Sequence, residues 1–266
     1  MSKQSGKKDA DLKKFVLAGI LKNFQSFIDP RNLPNTPQEV YFYLRDLKGF
    51  AKGQKNKYPL KLLPILYDRF GKSVFDPQYV YQAFWATKRI LNKKPLPDNH
   101  LDISSSIPFF VQLSAIIPVI QLEYRPPNLN LSSCRRISGN ILNLPFADES
   151  VQSLSCLHVV EHIGLGRYGD PVDTKGMWKA LSELGRVVAP QGDLYLSVPV
   201  GIPAVYFNAG CVFRANDIVE FLSDLALIEF SYVDDNGHYI ELKKPDDTDT
   251  MVNALGLYHF RKPAYT

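Results

Sequence analysis

The residues best suited to chemistry lie near the middle of the chain, in the pattern H-x-x-E-H formed by His158, Glu161 and His162. Histidine exchanges a proton near neutral pH, and a neighbouring carboxylate orients it or balances its charge. The same residue types bind zinc in some peptidases, where two histidines share one face of a helix. The pattern is therefore compatible with an acid–base cluster and with a metal site.

The residues that follow argue against the metal interpretation. Three glycines lie within seven residues of His162: Gly164, Gly166 and Gly169. Glycine is a poor helix former, and the peptidase type of site needs a sustained helix, so we expect no metal. A purely structural alternative is that Glu161 and His162 hydrogen-bond a turn that projects Arg167 and Tyr168.

The elements that must position this cluster are short apolar strands that alternate with helical stretches. The predicted strands are 101–104, 119–123, 137–141, 153–159, 194–198, 227–233 and 255–260, and the helices between them include 109–115, 176–188 and 216–225. Such alternation predicts an α/β fold with a parallel sheet covered on both faces. We expect a Rossmann-like sheet of about seven strands whose last pair is antiparallel.

Polar residues follow the first three predicted strands. Asp102 begins the polar run 102–106, Glu123 ends the second strand, and Asn140 lies in the third. In open α/β sheets, ligands bind outside the carboxyl ends of the strands. Glu123 lies 21 residues after Asp102, close to the offset at which an acidic residue accepts hydrogen bonds from a ribose. These positions favour a nucleoside site.

Three segments, taken in order, resemble class I S-adenosylmethionine-dependent methyltransferases. They are residues 139–146 (GNILNLPF), 157–162 (LHVVEH) and 181–192 (LSELGRVVAPQG). The longer stretch 156–171 (CLHVVEHIGLGRYGDP), with 207–209 and 230–237, resembles the bacterial domain-of-unknown-function family 268, a branch of that fold. The resemblance covers roughly residues 78–240 and does not define the reaction.

The resemblance implies S-adenosylmethionine as the cofactor. It assigns cofactor binding to Asp102, Ser104, Ser105, Glu123, Asn140, Ile141 and His158. In this assignment Glu123 binds the ribose, Asn140 and Ile141 flank the adenine, and His158 faces the methyl group. Two departures affect cofactor binding: serines replace the glycines of the usual first loop, and Asn140 replaces the usual Asp.

The same resemblance places a catalytic centre at His158, Glu161 and His162. The glycine-rich segment 164–171 (GLGRYGDP) reads as a loop whose Arg167 and Tyr168 bind the acceptor, together with Asn208 after the fifth strand. We therefore expect methyl transfer to a small or saccharide-type hydroxyl acceptor, that is, a small molecule or glycan. The alternative is a non-catalytic binding or scaffold protein that retains the fold.

Composition excludes several other classes of protein. Of the 266 residues, 45% are hydrophobic and 22% are charged, as in ordinary folded proteins. No apolar run is long enough for a transmembrane helix, and the three cysteines lack a paired spacing, so we expect a cytoplasmic protein with reduced thiols. Residues 1–100 hold 19 Lys and Arg against 8 Asp and Glu. These charges are dispersed and lack nucleic-acid-binding motifs, so no nucleic acid partner is expected.

The first 95 residues read as helical, and 93–99 (KKPLPDN) as a linker. We therefore predict an N-terminal helical extension or cap over 1–95 and a Rossmann-like domain over 96–266. Helices are expected to start at Thr36 and at Asp76 with Pro77, because these residues suit helix N-termini. Residues 12–28 have helical amphipathic spacing with flanking lysines, which allows weak contact with a membrane surface.

Overall fold

A computed structural model describes residues 34, 36–52, 60, 62, 64, 66 and 75–264 of the chain. Its strands are β1 (His100–Ile103), β2 (Val119–Glu123), β3 (Cys134–Ser138), β4 (Val151–Leu157), β5 (Val188–Val200), β6 (Ala204–Tyr206), β7 (Gly210–Val212), β8 (Ala226–Val233), β9 (Tyr239–Ile240) and β10 (Ala254–Arg261). Its helices are α1 (Thr36–Lys52), α2 (Pro77–Asn92), α3 (Ile107–Ser114), α4 (Gly176–Val187) and α5 (Ala215–Phe221).

Eight of the strands form one sheet in the order β3–β2–β1–β4–β5–β10–β8–β9. The first five in this order are parallel, whereas β10 is antiparallel to both β5 and β8. Strands β6 and β7 form a separate hairpin. The predicted Rossmann-like architecture with an antiparallel final pair is confirmed.

The strand boundaries differ from the prediction where local interactions override the apolar pattern. Strand β3 ends at Ser138 instead of continuing to residue 141, because the Asn140 side chain forms a turn by accepting from the Leu142 N–H. Strands β6, β7 and β9 have only two or three residues. Such short segments carry too few alternations to be recognised from sequence.

Helix α2 begins at the predicted position and packs against the sheet. The Asp76 carboxylate caps it by accepting from the N–H groups of Gln78 and Tyr79, at 3.0 and 3.3 Å. Its buried Trp85 and Ile90 belong to the same apolar cluster as residues of α3 and β10. The compact unit that contains the sheet spans Phe75–Thr266. The apolar face of α2 is buried in this unit, and the division into domains at residues 95 and 96 stays a prediction.

Residues Met1–Val74 form the other unit. Within it, helix α1 starts at Thr36 as predicted. The predicted amphipathic helix over 12–28 lies outside the described residues. Where the chain is described, no helix combines the length and the apolar character required to cross a bilayer.

A buried polar network joins β1 to β4 beneath the loop that follows β1. Asp102 is fully buried; its Oδ1 accepts from Ser155 Oγ at 2.7 Å and its Oδ2 from the Ser105 N–H at 3.2 Å. The Ser155 hydroxyl also lies 2.8 Å from His100 Nε2. Because burial disfavours the charged carboxylate, it raises the pKa of Asp102 to about 6 despite these hydrogen bonds. Burial also lowers the pKa of His100 to about 3.

The substitution Asp102→Asn should change how stability depends on pH. The pKa of Asp102 is about 6 in the folded protein and 3.8 as its ordinary value, so the folded state holds the proton more tightly. Stability is therefore lost as pH rises through this interval. Asparagine keeps an oxygen for the Ser105 N–H but has no proton to lose. Relative to the parent, its free energy of unfolding should rise by about 3 kcal/mol between roughly pH 4 and pH 7.

Urea denaturation of both proteins across this pH range measures the difference. If their stability curves run parallel, the Asp102 carboxyl does not titrate as its burial indicates.

Candidate active site

A cavity of about 370 Å³ lies at the carboxyl ends of strands β1 to β4. Its walls include Ser104 after β1, Glu123 at the end of β2, Asn140 and Ile141 after β3, and His158 after β4. This volume is within the range of small-molecule sites. The structure thus brings together five of the seven residues predicted to bind the cofactor.

Close packing shapes the β2 and β3 side of the cavity. A Cβ atom on Gly139 would lie 2.7 Å from Leu122 Cδ1, so a side chain there would displace the Leu122 side chain of β2. The Glu123 carboxylate is held by the Tyr124 N–H, which donates to Oε1 at 2.7 Å. Asn140 uses its Oδ1 to accept from the Leu142 N–H at 2.9 Å. Glu123 and Asn140 are therefore held at the cavity wall by local hydrogen bonds.

The first loop turns without glycine. Ser104 has a φ of 54°, in the left-handed region that glycine normally occupies. Its N–H donates to the Leu122 carbonyl at 2.9 Å, and the Ser105 hydroxyl accepts from the Leu157 N–H at 3.1 Å. Asp102 and Ser105, the other two predicted cofactor residues, are buried. They hold the loop from within the protein, whereas Ser104 borders the cavity.

The H-x-x-E-H segment begins directly after β4. His158 has a φ of 62°, and Val160–His162 is a single turn of 3-10 helix. The three glycines that follow all have positive φ, so the predicted absence of a long helix is confirmed. The side-chain ligand atoms of His158, Glu161 and His162 nevertheless lie within 4.8 Å of one another. A long helix is not needed to bring them together.

Glu161 organises the electrostatics of this cluster. Its side chain is fully buried; Oε1 is hydrogen-bonded to His158 Nδ1 and lies 3.5 Å from His162 Nε2. Burial alone would lower the pKa of His158, but the Glu161 carboxylate outweighs burial and raises it. For His162, burial together with the Arg167 charge lowers the pKa in spite of Glu161. The two imidazoles therefore differ in their preferred protonation state.

Two residues of helix α2, Gln78 and Tyr79, complete the surroundings of His158, and the sequence analysis missed both. Gln78 Oε1 lies 3.1 Å from His158 Nε2, and Gln78 Nε2 donates to the Asn253 carbonyl at 2.8 Å. The bond to Asn253 fixes which end of the amide faces the histidine. The Tyr79 ring stacks on the imidazole, with centroids 5.0 Å apart and an interplanar angle of 5°.

The predicted acceptor residues occupy three different environments. Tyr168 borders the cavity, and its carbonyl accepts a hydrogen bond from Arg125, which follows β2. Arg167 donates to the Ala209 carbonyl of the β6–β7 hairpin at 2.7 Å. Asn208 is exposed in the turn of that hairpin. Tyr168 is thus placed to touch a ligand in the cavity, and Arg167 attaches the glycine-rich loop to the hairpin.

Comparison with known sequences gives one family match. The profile of DUF268, described as a Caenorhabditis protein of unknown function, matches residues 143–254, less than half of the chain. Because this description names Caenorhabditis, the expected bacterial attribution is not supported. The search of curated proteins returned no match to the sequence.

Comparison with solved structures identifies the fold. The (4+2)-cyclase SpnF is 12% identical with a TM-score of 0.54, over 75% of this chain and 86% of that chain. A chain in the complex of the Haloferax volcanii Trm112 methyltransferase activator is 13% identical with a TM-score of 0.50, over 71% of this chain and 91% of that chain. At such identities the likeness extends to architecture and not to reaction. The sheet of this protein has the Rossmann-like class I methyltransferase fold.

Proposed function

We propose that the protein is an S-adenosylmethionine-dependent methyltransferase that acts on a hydroxyl group of a small or saccharide-type acceptor. The observation that carries this proposal is the cavity at the ends of β1 to β4, which gathers Ser104, Glu123, Asn140, Ile141 and His158. These side chains come from four neighbouring strands of a methyltransferase-type sheet. Their positions agree with the cofactor edge expected for that fold.

In this proposal each wall of the cavity binds one part of the cofactor. The Glu123 carboxylate accepts hydrogen bonds from the two ribose hydroxyls, and Asn140 and Ile141 flank the adenine. Ser104 lines the methionine end through the loop that Asp102 and Ser105 hold in place. His158 then faces the methyl group, since it follows β4, the strand beside β1 near the middle of the sheet. The cavity volume of about 370 Å³ suits a ligand of nucleoside size.

Methyl transfer from a sulfonium requires chiefly that donor and acceptor be aligned. When bound, S-adenosylmethionine would supply the methyl group to the acceptor oxygen and would be released as neutral S-adenosylhomocysteine. The proton of the acceptor hydroxyl passes to the cluster of His158, Glu161 and His162 at the cavity wall. Tyr168 contacts the acceptor from the glycine-rich loop, and Arg167 attaches this loop to the β6–β7 hairpin that carries Asn208.

A non-catalytic binding or scaffold protein is the second candidate, and the first loop favours it. The amide of Ser104 is bonded to Leu122, and the amide of Ser105 to Asp102. These groups are therefore engaged within the protein instead of being directed at a ligand. Binding of the cofactor distinguishes the two candidates.

Glu123→Ala should weaken cofactor binding about 10²- to 10⁴-fold, because it removes a charged acceptor of two hydrogen bonds that contribute roughly 1.5 to 3 kcal/mol each. Isothermal titration with S-adenosylhomocysteine measures the effect. The matched control is Glu220→Ala, an exposed glutamate of α5, which should bind like the parent. No binding by the parent at millimolar ligand would favour the scaffold candidate. Equal binding by both variants would mean that Glu123 is not the ribose acceptor.

His158→Ala and His162→Ala should each lower methyl transfer by about 10²- to 10⁴-fold, the usual contribution of general acid–base catalysis. Transfer of labelled methyl from S-adenosylmethionine to a panel of monosaccharides and phenols measures this loss. Binding of S-adenosylhomocysteine should change little, whereas the melting temperature should fall for His158→Ala, because this variant removes the hydrogen bond to the buried Glu161 carboxylate. His238→Ala is the control, since His238 is 74% exposed and lies outside the cavity. Lower stability with activity preserved per folded molecule would assign the cluster a structural role instead.

A further inference from the structure

We propose that His158, Glu161 and His162 bind a divalent transition-metal ion of the zinc type. Two imidazoles and one carboxylate form a common zinc ligand set, and their ligand atoms lie within 4.8 Å of one another. The convergence comes from the backbone: His158 has a positive φ, and the following 3-10 turn places Glu161 and His162 on the same side. In zinc peptidases the H-x-x-E-H pattern depends on a long helix, whereas here a short turn brings the three side chains together.

The outer nitrogen of His158 meets an oxygen acceptor, as at established metal sites. A ligating histidine almost always donates its second N–H to a carbonyl or carboxylate, which fixes its tautomer. His158 Nε2 faces Gln78 Oε1 at 3.1 Å. The ring of His162 hydrogen-bonds the Ala209 carbonyl, and its Nδ1 also lies 3.4 Å from the Arg167 guanidinium. Each histidine therefore directs its other nitrogen, Nδ1 of His158 and Nε2 of His162, toward Glu161.

Glu161 supplies the independent indication of a ligand. The side chain is fully buried, and its Oε2 has no hydrogen-bond partner. Buried carboxylate oxygens are costly unless they are paired or coordinate a metal, and nearly all buried polar atoms in proteins have partners. Both histidines face Oε1, so a cation between them gives Oε2 a partner when the carboxylate binds it through both oxygens.

The site has an open side. His158 and His162 both line the cavity at the ends of the strands, so a bound ion would reach it directly. Three protein ligands with one free position are typical of catalytic zinc sites, whereas structural sites use four. For the methyl transfer proposed above, on which this role depends, the free position would take the acceptor oxygen and make its hydroxyl more acidic. The proton would then leave through the cavity to solvent, because histidines that bind the ion cannot accept it.

Zinc binding to protein purified without an affinity tag and stripped with a chelator tests the site directly. Calorimetric titration with Zn²⁺, in the absence of cofactor, should give one ion per chain and a higher melting temperature. Gln78→Leu should weaken zinc binding about 10- to 100-fold, as expected for loss of a group that orients a ligand. Glu161→Gln and His162→Ala should weaken it further, and His238→Ala should bind zinc like the parent.

Co²⁺ absorption provides a second readout, because His ligation produces visible bands that the ligand variants should lose. Circular dichroism verifies that each variant is folded. His162→Ala is the ligand variant expected to perturb the core least, because His162 is partly exposed. Absence of stoichiometric zinc in the parent, or equal binding by folded His162→Ala, overturns the proposal. S-adenosylhomocysteine binding to the same stripped protein is measured separately, so failure of the cofactor proposal is distinguishable from failure of the metal site.

Discussion

A carboxylate that is removed from water must be compensated by its neighbours, and Glu161 imposes this requirement on the end of β4. Because it is fully buried, both His158 and His162 face one of its oxygens, Oε1. His158 in turn requires an acceptor for its other nitrogen, which Gln78 supplies from helix α2. The position of α2 on the sheet and the geometry of the cavity wall are thus linked through one buried charge.

Much of the architecture is predictable from sequence because it depends on local periodicity. Strand β2 and the starts of helices α1 and α2 lie where apolar spacing and capping residues place them. The cavity also gathers five residues that the methyltransferase resemblance assigned to the cofactor and that lie at the ends of predicted strands. In a parallel sheet the carboxyl ends of the strands lie at one edge. Residues at the ends of predicted strands are therefore expected to lie close together.

The remaining features depend on tertiary contacts that leave no local pattern. Gln78 lies 80 positions from His158, and nothing in the α2 sequence distinguishes it from a solvated polar residue. Asp102 shows the reverse error. Its position in the sequence predicts contact with a ligand, but its pairing opposite Ser155 buries its side chain in the protein. Ser104 adopts a glycine-like φ because the surrounding hydrogen bonds hold the loop, which residue type alone does not reveal.

The hydrogen bond between Gln78 and Asn253 has a consequence for the order of folding. Asn253 directly precedes β10, which inserts between β5 and β8. During synthesis, the residues that line the cavity, which end at Pro171, leave the ribosome well before this strand does. The Gln78 amide is fixed only after β10 has joined the sheet, so the surroundings of His158 are completed late. Chains interrupted before this strand would carry the cavity residues without their final arrangement, and long-range closure of this kind is intrinsically slow.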